Sequence, residues 1–477
     1  MTISTNTDLT AMSARELAEA IRVREVSSEE VVAAHLARID ALNPALNAIV
    51  SYRPEAALAE ARARDRLTAR GISLGPLHGL PIAVKDLMDV AGLPTTHGSR
   101  IYADNVADGD AVIVSRMRDA GAVFVGKTNV PEFGVGSHTF NEVFGVTRNP
   151  YDLSRSAGGS SGGAAAAVAT GMLPLADGSD LGGSIRNPAS FGNLVGLRPT
   201  AGRVASSRPG NAWDPGSVLG PLTRNVADAA MMMSVISGPE PRAPLSIDED
   251  PALFLSIAPR AFEGARIAFS EDLGGLPLDP QVRAATRAAA DLAAALGAEV
   301  VPVELDLSEA DLVFETFRSL EFLDGHGDDS LRHPELMKQT LKDDIAWAAG
   351  FTPELLVRAA AARTRLFRQT QRLLGEYDLL LAPCVQVLPF PVEWEYPTEI
   401  DGVAMDRYYA WQRSCSRITA TAMPALSMPM TFSTEGLPIG VQFVGRYRGD
   451  RELLAFGLTW EGAVAETMAR RPPVPAG

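Results

Sequence analysis

Apolar residues recur three and four apart through the first seventy or so positions, as in "SSEEVVAAHLARIDALNP", and this spacing predicts helices. Ser13 with Glu16, and Ser27 or Ser28 before acidic residues, have the arrangement of N-caps with capping-box partners. Asn43-Pro44 reads as the stop of the second helix, and His35 within it as a surface or satisfied core histidine rather than a ligand. From residue 75 the pattern changes to short apolar runs alternating with helical stretches. Residues 80–84 form one such run, which predicts a buried strand carrying Lys85 at its tip. "DAVIVSRMRDAGAVFVGKTN" predicts a helix followed by a strand over 122–125, and 163–171 is a poly-alanine helix inside a glycine-dense stretch. "TRNVADAAMMMSVIS" predicts a helix opened by Thr223, with the triple methionine as core filler.

Further along, "GARIAFS" reads as a strand and "DPQVRAATRAAADLAAALGAEVVPVEL" as a helix and a strand. Residues 309–376 are largely helical, "DLLLAPCV" is a strand, and "ALSMPMTF" and "GVQFVG" supply two more. Strands alternating with helices along the whole length predict an α/β fold. The expected form is a single large α/β/α domain with a mixed, mainly parallel central sheet covered by helices on both faces. No charge run, repeat or low-complexity linker divides the chain, so 1–477 is expected to form one domain. Within it the expected parts are N-terminal helices (8–70), a glycine-rich core (75–240), a more variable region (241–410) and C-terminal strands with a helix (411–465). Residues 385–410 are the expected long surface excursion.

Charge and composition narrow the functional classes. The 43 basic and 58 acidic residues give a formal charge of −15, which argues against a sequence-independent grip on nucleic acid. The N-terminus has no basic region followed by an apolar run, and 162–176 is too short and too broken to span a bilayer. A cytoplasmic protein with no membrane association is expected. Cys384 and Cys415 have neither metal-site nor disulfide-framework spacing and read as buried small residues.

Two nucleotide- or hydrolase-like motifs do not survive their context. "GAVFVGKT" (121–128) matches the P-loop pattern, but its middle residues are β-branched and aromatic, and Pro131 falls where a helix should continue. "GGSSG" (158–162) matches a nucleophile elbow, yet no strand precedes it. The downstream histidines, His326 and His333, lie in the polar "DGHGDDSLRH". A third set needs no histidine: Lys85 at a strand end, Ser160 in one glycine-rich loop and Ser184 in another, "GSDLGGSIRNP". A lysine serves as a general base when burial or neighbours lower its pKa, and glycine-rich N–H groups can converge on an oxyanion. From these residues alone, a structural glycine turn with an exposed lysine is an equally good reading.

The ordered series "GLPIAVKD", "VGKTNVPEFG", "AGGSSGGAAAAVATGMLPLADGSDLGGSIRNPASFGNLVGLRPTAGRV", "GPLTRNVADAA" and "MPALSMPMTFSTEGLPIGVQFVG" resembles the amidase signature family of serine hydrolases. The resemblance runs from about residue 8 to 460 and is weakest over 240–410. It implies Ser184 as nucleophile, Ser160 as a bridging serine with a cis peptide bond before it, and Lys85 as base. It further implies an oxyanion hole from the N–H groups of Leu181, Gly182, Gly183 and Ser184, bracing by Asp180 and Arg186, and substrate-facing positions at Phe133 and Gly134. The implied reaction is cleavage of a carboxamide C–N bond, with carbamates and esters open to the same acyl-enzyme chemistry, and it uses no cofactor and no metal.

Two branches of that family fit. One is a stand-alone amidase acting on a small-molecule amide; the other is the glutaminase subunit of a tRNA-dependent amidotransferase. Such subunits usually carry glutamine after the Ser-Ile-Arg triplet, where this chain has Asn187, so the stand-alone hydrolase is the expectation. A homodimer is the assembly the class suggests. Phe317, Phe322, Trp347, Phe351, Phe390, Trp394, Tyr396, Tyr408, Tyr409 and Trp411 supply aromatic rings from which an apolar or aromatic substrate pocket could be lined.

Overall fold

The computed structural model describes residues 8–206 and 210–473. Met1–Thr7, part of the stretch read as carrying no leader, lie outside them. Two N-terminal helices, Ala14–Arg22 and Ser28–Leu46, open on full capping boxes, Ser13 with Glu16 and Ser27 with Glu30. The second helix runs through Pro44 rather than stopping at it. Proline removes a single intrahelical bond, and the helix ends within the next turn. There Asn47 turns left-handed, and the Asn43 side chain accepts the amides of Ala48 and Ile49, each at 2.8 Å.

The main sheet has eight strands. In spatial order they are Glu299–Pro302, Arg266–Phe269, Leu379–Pro383, Pro438–Val444, Ala425–Phe432, Val195–Arg198, Val218–Thr223 and Leu175–Asp180. It is mixed, as expected, but less parallel than expected: only the first three strands run parallel to one another, and every later neighbour is antiparallel. One short connection forces part of this. Ala425–Phe432 and Pro438–Val444 form a hairpin closed by a turn in which the Leu437 carbonyl accepts the Ser433 amide, and a parallel pair would need a crossover of about a dozen residues. The helical crossovers of parallel units are confined to the Arg266–Pro383 half.

Side chains alternate between two cores across this sheet. Leu379 and Leu381 join one apolar cluster with Met231, Met232, Phe262 and Trp460, while Leu380 and Ala382 join another with Val313, Leu366 and Ile418. Helices therefore cover both faces. The triple methionine lies in the first cluster, on the helix Val226–Ile236. Its cap is Asn225, whose side chain accepts the Asp228 amide at 2.7 Å, not Thr223, which ends a strand and donates to the Asn225 carbonyl. Residues 385–410 are no surface excursion throughout: Val385, Val387, Phe390 and Val392 are buried, as are Tyr408 and Tyr409, while residues 393–395 and most of the hairpin of Glu399–Ile400 with Val403–Ala404 are exposed.

A separate three-stranded sheet carries Lys85. Val123–Thr128 lies at its centre, parallel to Pro81–Lys85 and antiparallel to Ile49–Val50. The P-loop look-alike is this central strand, and its Lys127 pairs with Asp86 at 3.3 Å inside the protein. The wholly buried helix Gly162–Ala169 wedges against both sheets, and small residues make this possible: a Cβ on Gly163 would lie 2.4 Å from the Asn129 amide nitrogen. Gly163→Ala is accordingly expected to destabilise the fold by about 3 kcal/mol. Gly462→Ala, at an exposed position in the last turn of the helix Asp450–Ala463 with open space around it, should instead stabilise by about 0.5–1 kcal/mol. Thermal melting of the two variants checks the pair.

Candidate active site

Pro81–Lys85 is buried throughout and delivers the Lys85 amino group between the two sheets. Its Nζ donates to three hydroxyls, Ser160 Oγ and Ser161 Oγ at 2.8 Å each and Ser179 Oγ at 2.9 Å. Ser160 and Ser161 stand immediately before the helix Gly162–Ala169, and the Gly159–Ser160 peptide bond is cis. Ser179 lies on the edge strand Leu175–Asp180, which runs into the second glycine loop. That loop turns back at Gly183, whose φ of +113° suits glycine, and presents Ser184 just before the short helix Arg186–Phe191. The Ser184 carbonyl accepts the Ser161 amide at 3.1 Å, which ties the two loops together.

Ser184 is 8% exposed, and among the described residues its hydroxyl makes no hydrogen bond. The structure thus brings Lys85 and Ser160 into direct contact and places no hydrogen bond between Ser160 and Ser184. Catalytic hydrogen bonds are frequently long in unliganded enzymes and tighten around substrate.

Asp180 braces the loop. It accepts the amides of Gly183 at 3.0 Å and Ile185 at 3.2 Å, and two N–H groups of the Arg186 guanidinium at 3.0 Å each. Arg198 adds a contact at 3.2 Å and also donates to the Asp180 carbonyl. Burial alone would raise the Asp180 carboxyl, but the two guanidiniums hold it well below the usual carboxylate range. Arg186 reaches on to Gln442 at 2.9 Å and Thr419 at 3.1 Å. The Gly183 amide, expected in an oxyanion hole, is therefore directed at Asp180. Behind it sits Cys415, whose thiol donates to the Cys384 carbonyl at 3.0 Å, so both cysteines are buried, unbridged packing residues.

Phe133 and Gly134 form a tight turn beside Ser160: a Cβ on Gly134 would come within 3.4 Å of Ser160 Oγ. Phe133 lies against His326 with ring centroids 3.9 Å apart and planes tilted by 33°, so this histidine joins an aromatic wall as well as pairing with Asp329 of the acidic run at 3.6 Å. Of the aromatic residues singled out in the sequence, Phe322, Tyr396, Tyr408 and Tyr409 share a cluster with Phe133, Phe314 and Leu181. Phe390 and Trp411 pack elsewhere, against Phe191. Phe317 lies under Arg363, Trp347 and Phe351 pair with each other, and Trp394 is exposed.

A family model for amidases matches residues 30–454. The chain belongs to the amidase family. This amidase is 35% identical to an acylamidase of Rhodococcus erythropolis, over 96% of each chain. It is also 36% identical to a glutamyl-tRNA(Gln) amidotransferase subunit of Moorella thermoacetica, over 98% of this chain and 99% of that one. Its fold superposes on the crystal structure of a bacterial aryl acylamidase of the amidase signature family with a TM-score of 0.90. The two are 29% identical, and the match covers 97% of this chain and 99% of that one. Among the described residues of the amidase, no helix is long and apolar enough to cross a membrane.

Ser161 and Ser179 escaped the sequence reading, although each sits in a quoted motif, because several serines there compete for one lysine. Asp177 escaped it as well. This fully buried carboxylate accepts the Lys85 backbone amide, at 3.1 and 3.4 Å to its two oxygens. Burial pushes its pKa up to about 6, against the pull of that amide and of Lys85 and Lys127. A carboxyl whose folded pKa lies above its unfolded value costs stability at pH above the folded value, and the cost fades as pH falls toward the ordinary range. Asp177→Asn, which keeps an oxygen for the Lys85 amide, should therefore raise the melting temperature of the amidase at about pH 8. The gain should shrink below about pH 6 and vanish near pH ~4, as calorimetry across that range will read.

Proposed function

We propose that this amidase is a stand-alone serine hydrolase that cleaves carboxamides through an acyl-enzyme on Ser184. The observation that carries the reading is the buried 2.8 Å hydrogen bond between Lys85 Nζ and Ser160 Oγ, beside a braced glycine loop that presents Ser184. With Lys85 neutral, Ser160 passes its proton to Nζ as it takes the proton of Ser184, whose Oγ attacks the carbonyl carbon. The carbonyl π electrons move onto oxygen, which rests on the amides of Leu181, Gly182 and Ser184. When the C–N bond breaks, Ser160 returns a proton to the departing nitrogen and is itself reprotonated from Lys85. Water then attacks the acyl-enzyme through the same relay and frees the acid. Asp180 and Arg186 keep the loop rigid while this happens. Ser161 and Ser179 share Lys85 with Ser160 and hold its amino group in place.

An apolar or aromatic substrate is favoured by the cluster of Phe133, Phe314, Tyr408, Tyr409 and Leu181 around the loop. Likeness to an aryl acylamidase points the same way. Carbamates and esters are open to the same chemistry. The rival reading, a glutaminase subunit, draws on the amidotransferase relative; Asn187 and the aromatic wall weigh against it. Purified alone, the protein should hydrolyse an anilide with kcat/KM more than roughly tenfold above that for acetamide, and should not prefer glutamine. Equal rates on the two amides would remove the aromatic preference.

A fluorophosphonate probe mapped by mass spectrometry tests the relay. The adduct should fall on Ser184 and be suppressed in Lys85→Ala, whereas an adduct on Ser160 would exchange the roles of the two serines. Ser179→Ala, which removes one of the hydroxyls holding Nζ, should lower kcat roughly tenfold, less than the roughly hundredfold or more that a proton-transfer group itself contributes.

A further inference from the structure

Gln412 stands on the short turn Ala410–Gln412, outside the motifs that carry the family resemblance. It is 5% exposed. Its Oε1 accepts the hydroxyl of Ser137, a buried residue three positions after Gly134. That bond links the turn beside Ser160 to the segment over the nucleophile loop. Its other end is aimed at the loop itself. A Cβ on Gly182 would lie 3.1 Å from Gln412 Nε2 and 2.7 Å from the Phe314 ring edge, so glycine at 182 is what admits both groups.

The Nε2 group carries two N–H donors, and among the described residues none of them meets an acceptor. Nε2 is not sealed from solvent, so an acceptor that arrives with the substrate can reach these donors. At the same place the loop is short of a donor, because the Gly183 amide is directed at the Asp180 carboxylate at 3.0 Å.

Resting on the reading of Ser184 as nucleophile, we infer that Gln412 Nε2 supplies a side-chain donor to the oxyanion hole, in place of the amide that Asp180 withdraws. When Ser184 Oγ bonds to the carbonyl carbon and the π pair moves to oxygen, Gln412 donates to that oxygen with the Gly182 amide next to it. Phe314 shields the pair from water, and Ser137 keeps Oε1 turned away from the developing charge.

The test compares wild-type protein with Gln412→Met, Gln412→Glu and Ser137→Ala on one anilide, with binding of an arylboronic acid as a mimic of the tetrahedral adduct. Gln412→Met, of similar volume, should lower kcat about a hundredfold with KM within roughly threefold, and should weaken the boronate in parallel. Gln412→Glu is nearly isosteric and places a negative charge against the oxyanion, so it should fall further; it also carries the test if the methionine variant fails to fold. Ser137→Ala should fall less than either. A rise in KM at unchanged kcat would make Gln412 a ground-state contact and overturn the inference, as would unchanged kinetics. An active wild type with unaffected variants overturns this inference alone. A wild type without amidase activity overturns the reading of Ser184 beneath it as well.

Discussion

A carboxylate withdrawn from water loses several kcal/mol of hydration, and only charge and hydrogen bonds at close range make this good. Asp180 is wholly buried and meets two guanidiniums and the amides of Gly183 and Ile185. Its two neighbours in space, Arg186 and Arg198, come from the helix after Ser184 and from the centre of the sheet. The path of the chain through Gly182, Gly183 and Ser184 is thereby clamped at both ends. The course of the loop follows from that clamp, including the direction in which the Gly183 amide points. The loop is held by electrostatics in a dry interior, where such contacts are strongest.

Two buried lysines on adjacent parallel strands show how environment separates similar groups. Val84 and Lys127 are register partners, which puts the Lys85 and Lys127 side chains on opposite faces of the small sheet. Lys127 faces the Asp86 carboxylate and donates to the Met88 carbonyl at 2.6 Å. Lys85 points its amino group at serine hydroxyls, which can exchange protons with it. The first arrangement holds a charge in place, and the second suits proton transfer. Spacing in the sequence does not tell them apart, since each lysine ends or nearly ends an apolar strand.

What could be read from the chain was whatever rests on local pattern. The strand ending in Lys85, the buried alanine helix and the glycine loops were all legible, because periodicity, small residues and turn chemistry act over a few positions. The two capping boxes were legible for the same reason. Less legible was anything set by pairing across the sheet. Whether a strand runs parallel to its neighbour depends on which connection doubles back, and the hairpin at Ser433–Leu437 carries no strong turn dipeptide. Ser161, Ser179 and Asp177 matter through partners 76, 94 and 92 residues away, and no window along the chain contains both members of such a pair. Gln412 and Ser137 lie 275 residues apart, so nothing in either neighbourhood announces the other.

Lys85 belongs to the three-stranded sheet, whereas Ser179 and Ser184 belong to the edge of the eight-stranded one and to the loop leaving it. The proposed proton relay thus straddles a seam between two hydrogen-bonded layers, joined there by the Lys85–Asp177 amide contact and the lysine's own reach to Ser179. A seam parts more readily than a sheet, because no backbone ladder crosses it. On the proposed relay, the temperature at which turnover stops and the temperature at which the protein melts are expected to measure two different events. The first reports the docking of one layer against the other, and the second the collapse of the layers themselves.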